Sequence, residues 1–280
     1  MGVDGDTHFK GWLKPGPVPP GARLPVDVPP DETLDAISGH FRIYQLRKGH
    51  RFSTDDLLTA WYGTTWAPSA GRMLDLGSGI GSVGMMASWR LRGAAIVAIE
   101  AQEESVRLAR KSADYNGLHG RYDIRHADFR DARALAADER FDLVLASPPY
   151  FPVGSGIESD HPQKIACRFE LRGDIGDYAR AAAAHLEPGG FFACVYPEER
   201  RDWLESAAAA AAFTVVRRRP VVFREGEPPP VSLFGMMRRQ DLPEAIWDRP
   251  WVEPPLVIRS IDGSVHPEYA AVKLSIGFPP

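Results

Sequence analysis

Arg72-Met73-Leu74-Asp75-Leu76, followed by Gly77-Ser78-Gly79-Ile80-Gly81, is the stretch on which the fold turns. The first five residues read as a strand, the glycines as a turn, and the apolar run Ser82 to Trp89 as a helix. A strand, a glycine turn and a helix N-terminus form a corner suited to a nucleotide-like ligand. Glycines let a ligand approach the backbone, and the helix end presents free N–H groups. The next strand, Ala94 to Ile99, ends at Glu100, an acid placed to take two ribose hydroxyls. A third, Tyr122 to His126, ends near Asp128. Successive strands therefore carry Asp75, Glu100 and Asp128 at or near the C-terminal sheet edge, where ligands of open α/β sheets sit. Gly79-Ile80-Gly81-Ser82-Val83-Gly84 also spells the dinucleotide fingerprint G-x-G-x-x-G. That register starts two residues late and leaves Asp75 without a role.

A second signal lies further along the chain. Phe141-Asp142-Leu143-Val144-Leu145-Ala146 is apolar enough for a buried parallel strand, and it stops at Ser147-Pro148-Pro149-Tyr150. Proline has no backbone N–H and a fixed φ, so two in succession stiffen the chain and leave carbonyls without intrachain partners. With a hydroxyl on one side and an aromatic ring on the other, this corner can accept hydrogen bonds from an amino group and stack on a flat ring. Those are the needs of chemistry that methylates an exocyclic amine of a nucleobase.

Together these residues resemble the class I S-adenosylmethionine-dependent methyltransferases. Asp75 with Gly77, Gly79 and Gly81 is similar to that family's first cofactor motif, Glu100 to its ribose-binding acid, and Asp128 to the acid at the cofactor's adenine amino group. Ser147-Pro148-Pro149-Tyr150 resembles the (Asn/Asp/Ser)-Pro-Pro-(Tyr/Phe/Trp) motif of the amino methyltransferases. The resemblance implies a Rossmann-like α/β fold, with a mostly parallel seven-stranded sheet and an antiparallel edge strand. It also implies S-adenosyl-L-methionine as cofactor, and Ser147, Pro148, Pro149 and Tyr150 as catalytic residues. A longer resemblance, from Ala36 to Tyr269, is to the bacterial enzymes that methylate N6 of the adenine beside the tRNA anticodon. It rests on Arg42-Ile43-Tyr44-Gln45-Leu46-Arg47-Lys48-Gly49-His50-Arg51-Phe52-Ser53-Thr54-Asp55, and on Pro148-Pro149-Tyr150-Phe151-Pro152 with Gly154-Ser155-Gly156. tRNA is the partner this implies. Ser147 stands where that family usually has asparagine, and serine there is more typical of cytosine-N4 enzymes acting on DNA. Amines of DNA or rRNA, a protein glutamine, and a non-enzymatic module keeping the fold are the alternatives.

Composition bounds the rest. A chain of 280 residues, 44% hydrophobic and 25% charged, suits one large globular domain with attached segments. Lys+Arg 33 against Asp+Glu 37 gives a net charge of -4, which excludes a wholly basic nucleic-acid binder, so any RNA footprint is local. Arg47, Lys48 and Arg51 head the candidate substrate contacts, together with Phe151. Arg121 with Arg125 and Arg130, Arg217-Arg218-Arg219, and Arg238-Arg239 are further candidates, each also readable as solvated surface. Cys167 and Cys194 form no C-x-x-C and the histidines do not cluster, so neither a metal nor a disulfide is expected. No signal peptide or apolar span of membrane length is legible, so a cytoplasmic location is expected.

The expected organisation is a Pro/Gly-rich leader over 1–35, a hairpin and helix over 36–66, a methyltransferase domain over 67–240, and a tail over 241–280 that wraps the surface. Asp31 to Ser38 is read as a helical turn and Phe41 to Phe52 as a hairpin. Ser53-Thr54-Asp55-Asp56 reads as a helix cap, with Thr54-Asp55 also a candidate contact to the methionine end of the cofactor. Phe151 to Glu170 is expected to form a substrate lid. Beyond it the sequence predicts a helix over Asp177 to His185, a strand over Phe191 to Tyr196 and a helix over Glu198 to Ala212. Two strands, Thr214 to Phe223 and Val231 to Met237, then pair antiparallel.

Overall fold

The computed structural model describes residues 8–9, 12–13, 28–150, 163 and 173–278. Two short strands, β1 (His8–Phe9) and β2 (Trp12–Leu13), pair antiparallel near the start. A hairpin follows, β3 (Glu32–Ser38) and β4 (Phe41–Leu46). The stretch read as a helical turn over Asp31 to Ser38 is therefore mostly strand, and the expected boundary at residue 35 falls inside it. Pairing along β4 decides the matter, since a cross-strand partner satisfies the backbone of β3 all along its length.

Helix α1 (Thr54–Trp66) leads into the main sheet. Its strands in chain order are β5 (Arg72–Leu76), β6 (Ala95–Glu100), β7 (Tyr122–His126), β8 (Phe141–Ala146) and β9 (Leu186–Pro197). β10 (Phe213–Val222), β11 (Val231–Arg238), β12 (Trp251–Val252) and β13 (Leu256–Val257) complete it. The spatial order is β12-β10-β11-β9-β8-β5-β6-β7, with β13 also on β10. β9, β8, β5, β6 and β7 are mutually parallel, and β11 runs antiparallel to both β9 and β10. The antiparallel strand thus lies one place in from β10, and the two short strands extend the seven-stranded core to nine.

Helices α2 (Ser82–Arg90) and α3 (Glu103–Tyr115) join the first parallel strands. α4 (Ile175–His185), α5 (Arg201–Ala210) and α6 (Pro267–Ser275) complete the helices described. Side chains of the parallel strands alternate between two apolar layers. Met73, Ile96, Leu143 and Leu145 enter the layer under α1, α2 and α3, whereas Leu74, Val97, Val144 and Ala146 enter the layer under α4 and α5. Strands buried on both faces account for the uninterrupted apolar runs in the sequence. Cys194 lies in β9 as a small buried residue whose thiol burial pushes up.

The hairpin docks on α3 through polar side chains. Asn116 accepts from the Arg42 N–H at 2.8 Å and donates to its carbonyl at 2.6 Å, and Ser112 Oγ accepts from the Tyr44 N–H at 2.9 Å. These contacts occupy a strand edge that would otherwise carry unpaired backbone groups. The C-terminal stretch wraps the surface only in part, because Leu256, Tyr269, Val272 and Ile276 are buried in the same apolar layer as α1.

Candidate active site

Chain order reverses at β5, from which the chain proceeds to β6 and β7 on one side and reaches β8 on the other. In open α/β sheets such a switch point leaves a crevice beyond the strand C-termini. Here it forms a cavity of about 330 Å³. The turn after β5 supplies Gly77, Ser78 and Gly79, β6 supplies Glu100, the turn after β7 supplies Asp128, and the end of β8 supplies Ser147 to Tyr150. The three strand-end acids and the Pro-Pro corner, far apart in sequence, therefore line one cavity.

The glycine turn is held by these acids. Gly79 has φ 54, and a Cβ built there meets no atom within 4 Å, so its backbone faces open space. The Gly79 N–H donates to Glu100 Oε2 at 2.9 Å, and Glu100 Oε1 accepts from the Gln102 N–H at 2.6 Å. Asp75 is buried, with Oδ2 accepting from the Gly84 N–H at 2.9 Å. Burial pushes its carboxyl up to about 7, aided by the neighbouring charges of Asp56 and Glu100 and opposed by the Gly84 N–H. Asp128 is ion-paired to Arg130 at 2.6 Å, and the rings of Phe129 and Tyr178 lie 4.6 Å apart in the same wall.

Four more groups reach the cavity from the N-terminal side: His50, Ser53, Asp55 and Asp56. Asp56 accepts from the Ser53 N–H at 2.8 Å, which closes the first turn of α1, and from the Ser82 hydroxyl at the start of α2. Burial raises its carboxyl to about 6. Asp55 Oδ2 accepts from the Tyr150 hydroxyl at 2.7 Å. The Tyr150 ring also stands edge-on to Tyr196 at 6.2 Å, and Arg200 donates to the Tyr150 carbonyl. From sequence Asp56 reads as a capping residue, and Asp55 as a capping residue or a contact to the methionine end of a cofactor. The bond across 95 positions to Tyr150 carries no local signature.

Several expected contacts lie elsewhere. Thr54 begins α1 but turns away from this cavity into a second one, so it is not placed for the methionine end of a cofactor there. Gly81 does not line the cavity; it caps α2 at φ 83, with its site for a Cβ 3.0 Å from the Tyr122 hydroxyl. Arg47 is exposed and donates to the Pro30 carbonyl at 2.8 Å, Lys48 is exposed, and Arg51 pairs with Asp35 at 2.8 Å. None of the three reaches the cavity. Arg217, Arg218 and Arg219 are not a solvated run: their side chains are 15%, 14% and 11% exposed, paired with Glu253, Glu198 and Glu268. Phe151 and the expected lid over Phe151 to Glu170, Gln163 apart, lie outside the described residues.

Residues 54–201, more than half of the chain, match the family model of the methyltransferase small domain. The chain belongs to that family. It is an S-adenosylmethionine-dependent methyltransferase, and S-adenosylmethionine is its methyl donor. Within the methyltransferase small domain family it is similar to the tRNA1(Val) (adenine(37)-N6)-methyltransferases of Escherichia coli and Shigella flexneri, at 30% identity over 152 residues. The match covers 53% of this chain and 59% of those proteins, so the chain spans about three-fifths of their length. Among solved structures, a predicted O-methyltransferase of Agrobacterium tumefaciens superposes with a TM-score of 0.61 at 22% identity, covering 80% of this chain and 98% of that one. A chain of the complex of aTrm5 with tRNALeu gives 0.50 at 14% identity, covering 74% and 53%. At these identities the likeness is one of fold.

The cavity fits the donor of this family. Among the described residues its charged lining is Asp55, Asp56, Asp75, Glu100 and Asp128, without a lysine or arginine, which suits a ligand bearing a sulfonium and an ammonium. Ser78 Oγ is buried in the lining with no hydrogen-bond partner among the described residues. Among those residues no group of His, Cys, Asp and Glu could hold a metal ion, and no helix is long and apolar enough to cross a membrane.

Proposed function

We propose that this methyltransferase acts on the exocyclic amine of a nucleobase, adenine N6 in tRNA near the anticodon. The observation that carries the reading is the convergence of Ser147, Pro148, Pro149 and Tyr150 on the acid-lined cavity. The name of the E. coli relative supports the same substrate. Asp75, Gly77, Gly79, Glu100 and Asp128 would hold the cofactor, which supplies an electrophilic methyl group when bound. An aromatic amine is a weak nucleophile because its lone pair is delocalised into the ring. Acceptance of its two N–H bonds by the Pro148 carbonyl and Ser147 Oγ draws the nitrogen toward tetrahedral geometry and frees that pair. Alignment of this kind lowers a barrier by up to about 7–11 kcal/mol. Tyr150 provides a stacking face worth about 1–3 kcal/mol, and an unpaired loop base reaches it at little cost.

Incubation with labelled S-adenosylmethionine and separate pools of tRNA, rRNA, DNA and protein, followed by nucleoside and amino-acid mass spectrometry, tests the reading. N6-methyladenosine in tRNA is the expected product; label confined to protein or DNA overturns it. Ser147 itself favours a second reading, cytosine N4, because a hydroxyl offers one oxygen where a carboxamide reaches further. Ser147→Asn should keep or raise turnover on adenine, whereas Ser147→Ala should lower it about 10- to 1000-fold. An Asn variant inactive on adenine, beside a wild type active on cytosine, moves the assignment to N4.

A further inference from the structure

A second cavity, of about 850 Å³, lies on the other side of the first turn of α1 and shares Ser53 with the first. The two are opposite in charge. Among the described residues, Arg51, Arg224, Arg259 and Lys273 line the second, against Asp35 and Glu227. Arg51 is neutralised by Asp35, but Arg224 stands 3.9 Å from Glu227 with both side chains about half exposed, a pairing of little strength. Arg259 donates to the Gly263 carbonyl at 2.8 Å and makes no ion pair among the described residues. Aromatic rings are interleaved with these cations: Phe52 and Phe278 lie 6.1 Å apart, and Phe223 is 42% exposed.

The origin of the walls separates the two cavities further. Apart from His50 and Ser53, the first is built from residues inside the family match over 54–201. The second, apart from Thr54 and Leu57, is built from the N-terminal hairpin region, the β10–β11 connection and the C-terminal stretch, all outside that match. Three peripheral additions to the common domain thus converge on one basic, aromatic groove beside the reaction site. A polyanion would be repelled by the acid-lined cavity and attracted by this one.

We propose that the second cavity seats the phosphates and bases of single-stranded nucleic acid flanking the base that enters the first. The inference rests on the nucleobase reading above and specifies where the rest of that substrate lies. Guanidinium groups would take the phosphates, and exposed rings would stack bases without sequence preference.

The test is fluorescence anisotropy of a labelled, unmodified anticodon stem-loop RNA against the full chain saturated with S-adenosylhomocysteine, across a salt series. The double variant Arg224→Glu/Arg259→Glu should lower the slope of log affinity against log salt by about 0.7 for each phosphate no longer neutralised. Phe223→Ala should bind about 5- to 150-fold more weakly. Both should keep wild-type affinity for S-adenosylhomocysteine by calorimetry. Arg133→Glu, at an arginine 90% exposed that lines neither cavity, should change none of these quantities. Unchanged RNA affinity and salt slope in variants of an enzyme that methylates RNA would overturn the groove and leave the function standing. A loss of cofactor affinity in step with RNA affinity would also overturn it. If the wild type methylates no nucleic acid in the pool experiment, the function falls and the groove with it.

Discussion

The Tyr150 hydroxyl and Asp55 make one bond with two consequences. It holds the ring that would stack on the base, and it gives a carboxylate whose pKa burial raises a donor that opposes the rise. Tyr150→Phe keeps the ring but strands Asp55, so turnover should fall about 10- to 100-fold, the worth of a hydrogen bond to a charged group. Asp55→Asn should cost a similar factor, and the double variant no more than either alone, because one interaction is removed each time. Single-turnover rates at saturating cofactor decide this, and additive losses would give the hydroxyl a separate role. Asp56 and Asp75 lead to a pH prediction. Their folded values, about 6 and about 7, lie above the ordinary carboxylate range. Stability from their protonated forms is complete below about pH 4 and is lost as pH rises through those values. A sulfonium ligand instead favours the ionised acids, so binding S-adenosylmethionine near pH 6.5 should release protons, and near pH 8.5 should release few. Calorimetry in buffers of different ionisation heat measures this; proton uptake near pH 6.5 would mean that the acids stay neutral around the ligand. Tyr122, behind Asp75, stays protonated throughout, its hydroxyl pushed well up by burial.

At the scale of elements, α1 connects fold and site. Gly63 lets it lie flush on the sheet: a Cβ there would meet Leu145 Cδ2 at 2.3 Å and Ala193 Cβ at 3.2 Å. Gly63→Ala should therefore cost about 1–3 kcal/mol by overpacking, a fall in Tm of about 3–10 °C by calorimetry. Turnover should fall by more than the lost stability accounts for, since displacing α1 moves Asp55 and Asp56 at its other end. An unshifted Tm would show that the helix has slack over the sheet. Much of this architecture was legible. β5, β7 and β8 occupy the residues read as strands: burial on both faces makes β5 and β8 largely apolar, and β7 alternates buried Tyr122 and Ile124 with more exposed polar residues. Asp75, Glu100 and Asp128 were legible as neighbours because each lies at or just beyond the end of its strand. Contacts between distant segments were not. The partners of Arg217, Arg218 and Arg219 stand 36, 20 and 49 positions away, so a basic run looked solvated when it was paired. β3 was misread because its seven residues Glu32–Ser38 lack clean alternation, and its strand identity comes from β4.

Over the whole molecule, the segments outside the common domain are clipped to it from several directions. Glu253 accepts from the Tyr62 hydroxyl of α1 at 2.7 Å and pairs with Arg217 of β10 at 3.2 Å. Arg217 lies over the ring of Trp251 at 4.5 Å, and Arg219 donates to the Pro254 carbonyl at 3.1 Å and pairs with Glu268. Beyond these polar clips, Leu256 and Ile276 are fully buried in the layer that holds α1, α2 and α3. A strap held only by surface ion pairs would contribute little, since exposed pairs are worth about 0–1 kcal/mol. Buried leucine is different: Leu256→Ala removes apolar packing and leaves a cavity, at a cost of about 2–5 kcal/mol. A chain of this size should then lose about 5–15 °C in Tm by differential scanning calorimetry. The same variant should weaken RNA binding more than cofactor binding, because Ile258, Arg259 and Tyr269 of the second cavity follow Leu256, whereas no described residue beyond Tyr178 lines the first. A wild-type Tm would mean that the segment from Trp251 onward is a detachable strap, and the basic groove would then lack a rigid wall.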